Sequence, residues 1–403
     1  MKKVLIIGHG LPQPQSTGAG VYMNQLIDLF LEWECEVQFA STAEAPDHGV
    51  LIEKSIPYTQ IELNSDSFDV FIKELNPEIV VFDRFMTEEQ YSWRVKEHCP
   101  DAIRVLDTED LHFLRAHREK THSMLPPGQL DDIALRELAA IFRSDLSLII
   151  SSNEIHYLTN FYGVPASALL HLPFLIKELP KPENLPGFED REGYCFVGTG
   201  MHKPNVDAIK QLSLLWPDIK AGQPEAEIYI YGSYFKDDIK GLHKPKMGFN
   251  VVGFVDDLEE KLKSHRLLLA PLRFGAGQKR KVFDAWLSGC PVITTEIGAE
   301  GIGADGLFGG GVAEDTEESF VDLAVEYYKS EAKWNKAQQE SNQLLESLYS
   351  WPIRSRVFSL QVLNRATGRQ LYQKQNPVGQ ILWHHSLQSS KYLSKWIEEK
   401  NKK

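Results

Sequence analysis

Short apolar runs that alternate with longer amphipathic stretches set the strongest limit on how this chain folds. In the first part the runs are Val4–Ile7, Glu36–Ala40, Ile79–Phe82, Ile103–Leu106 and Leu146–Ser151, with a helical pattern from about Gly20 to Trp33 after the first. Connections of that length join parallel strands, so the pattern predicts a parallel sheet covered by helices on both faces. Prolines 173, 180, 182 and 186 then interrupt the pattern amid charged residues, which predicts a linker. A second series follows, with strands at Tyr194–Val197, Ala226–Tyr231, Asn250–Val252, Leu267–Ala270 and Pro291–Thr295. The expectation is two doubly wound α/β domains over 1–175 and 193–350, a linker over 176–192 and a tail over 351–403, helical from about Pro377. Ligands belong at the carboxyl ends of the strands and in the crevice between domains.

The 403 residues, 42% of them hydrophobic, suffice for two cores. A formal net charge of −13 excludes a broad nucleic-acid face, so a phosphate must be met by a local basic cluster. Cys35, Cys99, Cys195 and Cys290 are dispersed without metal-ligand spacing, as reduced thiols of a cytoplasmic protein would be. The apolar start Val4–Ile7 is too short for a signal peptide, and no stretch reaches the ~20 apolar residues of a membrane span. At most a peripheral membrane contact is expected.

One segment concentrates the chemistry. After the strand Leu267–Ala270 come Arg273, then Gly275-Ala276-Gly277, then a helix predicted to begin near Gln278, with Lys279, Arg280 and Lys281 in its first turn. Glycines let the backbone turn tightly against a ligand, and free N–H groups at a helix start attract anions. Cations there oppose the usual preference for acids, which makes sense if a phosphate is bound. Lys279 is the first phosphate candidate and Arg273 a second, while Arg280 and Lys281 are expected to face solvent. Asp284 is placed to accept from ribose hydroxyls. Gly18-Ala-Gly20 resembles part of a dinucleotide fingerprint, but Met23 stands where glycine or alanine belongs, and the second strand ends without the ribose-binding acid.

The ordered set is specific. Phe196-Val-Gly198-Thr-Gly-Met-His-Lys203-Pro, Tyr231-Gly-Ser, Val252-Gly-Phe-Val-Asp-Asp-Leu258 and Ala270-Pro-Leu-Arg-Phe-Gly-Ala-Gly277 follow one another as in a family of GT-B glycosyltransferases. Gly18-Ala-Gly20 and Asp107-Thr-Glu-Asp-Leu-His-Phe-Leu-Arg115 occupy the corresponding loops of the first half. The chain resembles family 4 of the retaining enzymes (glycosyl transferases group 1) over most of its length. The resemblance implies two Rossmann-like domains facing across a cleft, with the tail crossing back to the first. It also implies metal-independent transfer of a sugar, with retention, from a nucleotide-diphosphate sugar that serves as co-substrate, without a further cofactor. Donor contacts would fall to Gly18, Gly20, Gly198, Lys203, Arg273, Gly275, Ala276, Gly277, Gln278, Lys279 and Asp284, and catalytic roles to His112, Glu109 and Glu300.

The family pattern is not complete. Its paired glutamates fall at Ala276 and Asp284, and Glu109 stands where many relatives carry histidine, with His112 three residues on. Met201 replaces a common arginine and leaves Lys203 as the nearest cation. These departures keep open a non-catalytic nucleotide-sugar binding protein or another GT-B enzyme such as an epimerase. No Asp-x-Asp triplet occurs, so no metal site is expected. The acceptor, whether glycan, lipid or small molecule, is not named by 12–17 or 120–129.

Overall fold

The computed structural model describes residues 2–14, 17–44, 49–123, 126, 128, 130–304, 306–314 and 316–401, with all their side chains but those of 182, 366, 386 and 387. Residues 15, 16, 124, 125, 127 and 129 of the two stretches left open for an acceptor lie outside the described residues. The chain forms two compact units. The first comprises Met1–Phe113, Leu125–Pro173 and Pro352–Lys403, and the second comprises Leu114–Met124 and Phe174–Trp351.

The first unit holds a seven-stranded sheet of order β3-β2-β1-β4-β5-β6-β7. Its strands are β1 Lys3–Gly8, β2 Glu36–Ser41, β3 Tyr58–Gln60, β4 Ile79–Asp83, β5 Ile103–Asp107, β6 Leu146–Ile149 and β7 Leu169–His171. All pairings are parallel. Val4, Leu5, Ile6 and Ile7 are buried together, because a central strand covered on both faces has no solvent side. The helix Gly18–Glu32 is capped by Thr17, whose Oγ1 accepts from the Gly20 N–H at 3.0 Å. Two of its polar side chains are used internally: the Tyr22 hydroxyl donates to the Leu172 carbonyl at 2.7 Å, and Gln25 Nε2 to that of Pro173 at 3.0 Å.

The tail is helical earlier than expected, as Trp351–Lys374 and Pro377–Asn401. Pro352 does not prevent this, since proline is tolerated in a first helical turn. The last helix packs on the helices Arg84–His98 and Asp132–Arg143. Trp383 anchors it: the indole donates to the Arg143 carbonyl at 2.8 Å, and Lys96 and Arg104 lie over its ring at 4.3 and 4.1 Å.

The second unit holds a six-stranded parallel sheet of order β10-β9-β8-β11-β12-β13. Its strands are β8 Tyr194–Val197, β9 Ile228–Tyr231, β10 Phe249–Gly253, β11 Leu267–Ala270, β12 Val292–Thr295 and β13 Gly310–Ala313. Residues 176–192 are counted with this unit. Arg191 shows why: its buried guanidinium donates to the carbonyls of Pro186, Leu262, His265 and Ser288 at 2.7–3.2 Å, so the end of the proline-rich stretch is packed rather than spanning. The strands β3, β7 and β13 escaped the sequence pattern. The first two are three-residue strands at the two edges of their sheet, and β13 begins with two glycines, which weaken any strand signal.

Candidate functional site

In each sheet the strand order reverses at one point, between β1 and β4 in the first unit and between β8 and β11 in the second. Open α/β sheets bind ligands beyond the carboxyl ends of their strands at such points. The residues singled out by the sequence fall at these ends, so each unit has a centre of its own.

In the first unit β4 and β5 end in register on two carboxylates, Asp83 and Asp107. The His9 N–H, just past β1, donates to Asp83 Oδ2 at 2.9 Å, and the Glu109 N–H donates to Asp107 Oδ1 at 3.2 Å. Glu109 and Arg84 both take left-handed backbone conformations, with φ of 62° and 71°. Such strain in non-glycine residues gathers at functional positions. Asp107 is completely buried, and its Oδ2 has no hydrogen-bond partner. Burial, and then the neighbouring Asp83 carboxylate, push the Asp107 carboxyl well above the usual range. Burial, Asp107 and Asp83 do the same to Glu109, while Arg84 opposes both shifts. The cluster therefore holds a proton more readily than isolated acids do. Asp83, Asp107 and Glu109 offer oxygens within 4.8 Å of one another, a set able to hold a hard cation, whereas the sequence suggested no metal site.

His112 opens the helix His112–Thr121 beside this cluster. Its main-chain N–H and that of Phe113 are taken by the buried Glu137 carboxylate at 3.1 and 2.9 Å, and Glu154 accepts from the Leu111 N–H at 3.0 Å. The ring is fixed as well. Nδ1 lies 3.0 Å from the Asp110 carbonyl and 3.3 Å from Glu137, and the ring edge meets Phe85. Both of these oxygens are acceptors, so Nδ1 is the donating nitrogen and Nε2 is the one left for other partners. Gly18 and Gly20 form the first turn of their helix rather than a loop before it. A Cβ on Gly20 would lie 2.3 Å from the Gln13 main chain, so the position demands glycine.

In the second unit β11 runs into the glycine turn, where Gly275 and Gly277 have φ of 150° and 63°. The helix that follows is Arg280–Leu287, with Lys279 as its N-cap, two residues later than the sequence indicated. Gln278 is buried: its Oε1 accepts from the Phe174 N–H at 3.1 Å and its Nε2 donates to the Gly301 carbonyl at 2.7 Å. The amide thus braces the turn from behind. Lys279 Nζ donates to the Gly277 carbonyl at 2.6 Å, curled over its own loop.

Lys281, expected in solvent, is instead buried. Its Nζ donates to Asn205 Oδ1 at 2.5 Å and lies 4.7 Å from the centre of the Phe196 ring. Burial, with a contribution from Lys279, pulls its pKa down to about 7. An 8-residue helix docked on the sheet turns this position inward, and spacing alone does not reveal which face docks.

The remaining residues are placed as follows. Arg273 forks onto Asp207, with Nε at 2.9 Å, so a structural ion pair occupies the guanidinium assigned to a diphosphate. Lys203 is exposed and pairs with Glu119. Asp284 pairs with Arg280 at 2.7 Å, and burial raises its carboxyl despite that guanidinium. Gly198 follows β8 and packs against Asn205, which joins it to the Lys281 contact. Ala276 is buried within the glycine turn, where its methyl makes none of the polar contacts of an acid. Glu300 is gripped by Arg118, Nη1–Oε2 at 2.6 Å and Nη2–Oε1 at 2.8 Å, and Arg118 Nη1 also donates to the Gly275 carbonyl at 2.8 Å. Arg118, missed by the sequence reading, thereby couples the glycine turn to the loop after β12, and it carries residues 114–124 into the second unit.

The two parallel sheets and their switch-point centres define an α/β fold of the GT-B class. Residues 191–330 match the family model of glycosyl transferases group 1. No curated relative matches the chain. Among solved structures the chain is similar to sucrose-phosphate synthase from Thermosynechococcus elongatus, at 14% identity and a TM-score of 0.71, covering 93% of this chain and 100% of that one. It is also similar to Anabaena HepE in complex with UDP and glucose, at 12% identity and a TM-score of 0.69, covering 90% and 100%. A TarM variant from S. aureus in complex with fondaparinux, alpha-GlcNAc-glycerol and UDP gives 9% identity and a TM-score of 0.68, covering 91% and 100%. These likenesses establish the fold.

Proposed function

We propose that the chain is a glycosyltransferase that passes a sugar from a nucleoside-diphosphate donor to a hydroxyl acceptor, with retention at the anomeric carbon and without a resident metal. The observation that carries this reading is the glycine turn 275–277 leading into the helix Arg280–Leu287 at the switch point of the second sheet, with Lys281 buried beneath it. Main-chain N–H groups of that turn, Lys279 and Lys281 neutralise the departing diphosphate, the charge that develops as the glycosidic bond breaks. Asp284 accepts from the ribose once Arg280 shares it. Glu300, held by Arg118, presents a fixed carboxylate to the donor sugar. The family match over 191–330 and the UDP complexes of HepE and TarM support a nucleotide-sugar donor and make uridine donors the first to test.

In the transfer, the bond from the anomeric carbon to the diphosphate oxygen breaks while the acceptor oxygen forms its own. The acceptor proton goes to the departing diphosphate, so no strong protein base is required. Acceptor hydroxyls fit the first unit, where Asp83, Asp107 and Glu109 offer carboxylate oxygens and His112 Nε2 a further polar contact. Thermal unfolding across UDP-, GDP- and ADP-sugars identifies the donor, since a ligand of the folded state raises the transition temperature as its concentration passes the Kd. NMR of the product from labelled donor then gives the anomeric configuration. A donor that stabilises the protein but is never consumed with any acceptor would make it a binding protein, and an inverted product would remove the retaining mechanism.

A further inference from the structure

The two tail helices are apolar on both sides. In Trp351–Lys374, Phe358 and Val362 are buried within the first unit, whereas Ile353, Leu360 and Leu371, on the opposite side by helical spacing, are more than half exposed. In Pro377–Asn401, Trp383 and Ser394 face the body of the unit, whereas Ile381, Tyr392 and Trp396 are more than half exposed. Large apolar side chains exposed along a helix whose opposite side is already packed mark a candidate interaction site.

Charge says what covers it. Residues 351–403 contain ten lysines and arginines against two glutamates, an excess of eight positive charges, in a chain of formal net charge −13, so that 1–350 carries −21. Arg356, Lys374, Lys395 and Lys400 are exposed beside the apolar stripes, and Lys400 Nζ lies 5.2 Å from the Trp396 ring centre. No helix among the described residues is long and apolar enough to cross a membrane. Indole and phenol rings flanked by lysines suit the headgroup level of a bilayer. A second copy would bring an equally basic tail against this one, which like charges oppose. We propose that the exposed face of the two tail helices docks the protein on an anionic lipid surface, its aromatic and aliphatic side chains entering the interface and its lysines meeting lipid phosphates.

The test is co-sedimentation of the full chain with vesicles of phosphatidylcholine alone or with about 30 mol % phosphatidylglycerol, at low and high salt. Binding is expected only to the anionic vesicles and is lost at high salt. Lys395→Glu with Lys400→Glu lowers partitioning about 25-fold or more, from about fivefold per basic residue near the surface. Tyr392→Ser with Trp396→Ser lowers it about tenfold or more. Both pairs are exposed, so circular dichroism and the thermal transition stay as in wild type. Equal binding to neutral and anionic vesicles, or undiminished binding by both variants, overturns the proposal. So does a failure to bind vesicles accompanied by a concentration-dependent dimer that Trp396→Ser abolishes, which assigns the face to a second copy.

Discussion

Lys281→Met tests the reading of the second unit most directly. Burial holds the Lys281 ammonium at a pKa of about 7, against 10.5 for an exposed lysine. Between those values the unfolded chain keeps the proton and the folded chain has released it, so raising the pH through this window favours the folded state. Below pH 7 both states are protonated and the burial penalty is present in full. From pH 7 to 9.5, at 1.36 kcal/mol per pKa unit, wild type should gain about 3 kcal/mol relative to the methionine variant, which has nothing to titrate there. For a domain of this size that corresponds to roughly 6–12 °C in the transition temperature. Methionine leaves Asn205 Oδ1 without its donor, at a cost of about 1–3 kcal/mol, but this offset does not vary with pH. The assay is thermal unfolding of both proteins in steps from pH 6.5 to 9.5. A nucleoside diphosphate at this point returns the proton to Lys281, so calorimetry in buffers of different ionisation enthalpy should show proton uptake by wild type near pH 8 and none by the variant. Parallel pH profiles of the two proteins would refute the buried, depressed lysine, and equal diphosphate affinity would take it out of the donor site.

Three further outcomes are expected. Arg118→Met leaves Glu300 without its fork and should lower stability by about 3 kcal/mol; adding Glu300→Gln should recover part of the loss, and strict additivity in the double-mutant cycle would deny the coupling. Lys279→Ala should weaken nucleoside-diphosphate binding in calorimetry about tenfold while leaving the thermal transition within about 2 °C, because it removes one charge-assisted contact from a loop position whose ammonium donates to the Gly277 carbonyl; unchanged affinity would return it to solvent. Gly20→Ala should cost more than about 2 kcal/mol, since its methyl meets the Gln13 main chain at 2.3 Å, and a variant as stable as wild type in denaturant titration would show that this turn yields.

What the sequence disclosed depended on how local each signal was. Val4–Ile7, Ile79–Phe82 and Leu267–Ala270 announce buried strands because every residue in them is apolar, and the sheets follow from such runs. Lys281 was misjudged because the inward face of a short helix is chosen by what it docks on, here Asn205 and Phe196. The Arg118–Glu300 fork joins residues 182 positions apart, and nothing near either one marks it. Asp83 and Asp107 were within reach: two strands that pair in register each end on an aspartate, a coincidence visible once the strands are aligned.

The division of the first unit into three segments bears on the order in which the chain can fold during synthesis. Domains usually fold amino-terminal first as they leave the ribosome. Here the second unit has its last residue at Trp351, whereas the first still lacks Pro352 onward, including the Trp383 that Lys96 and Arg104 enclose. At roughly 5–20 residues per second, the second unit is complete about 3–10 s before the first. Throughout that interval the docking surface on the helices Arg84–His98 and Asp132–Arg143 stands uncovered, so a nascent-chain chaperone should hold the amino-terminal half longest, although it is made first.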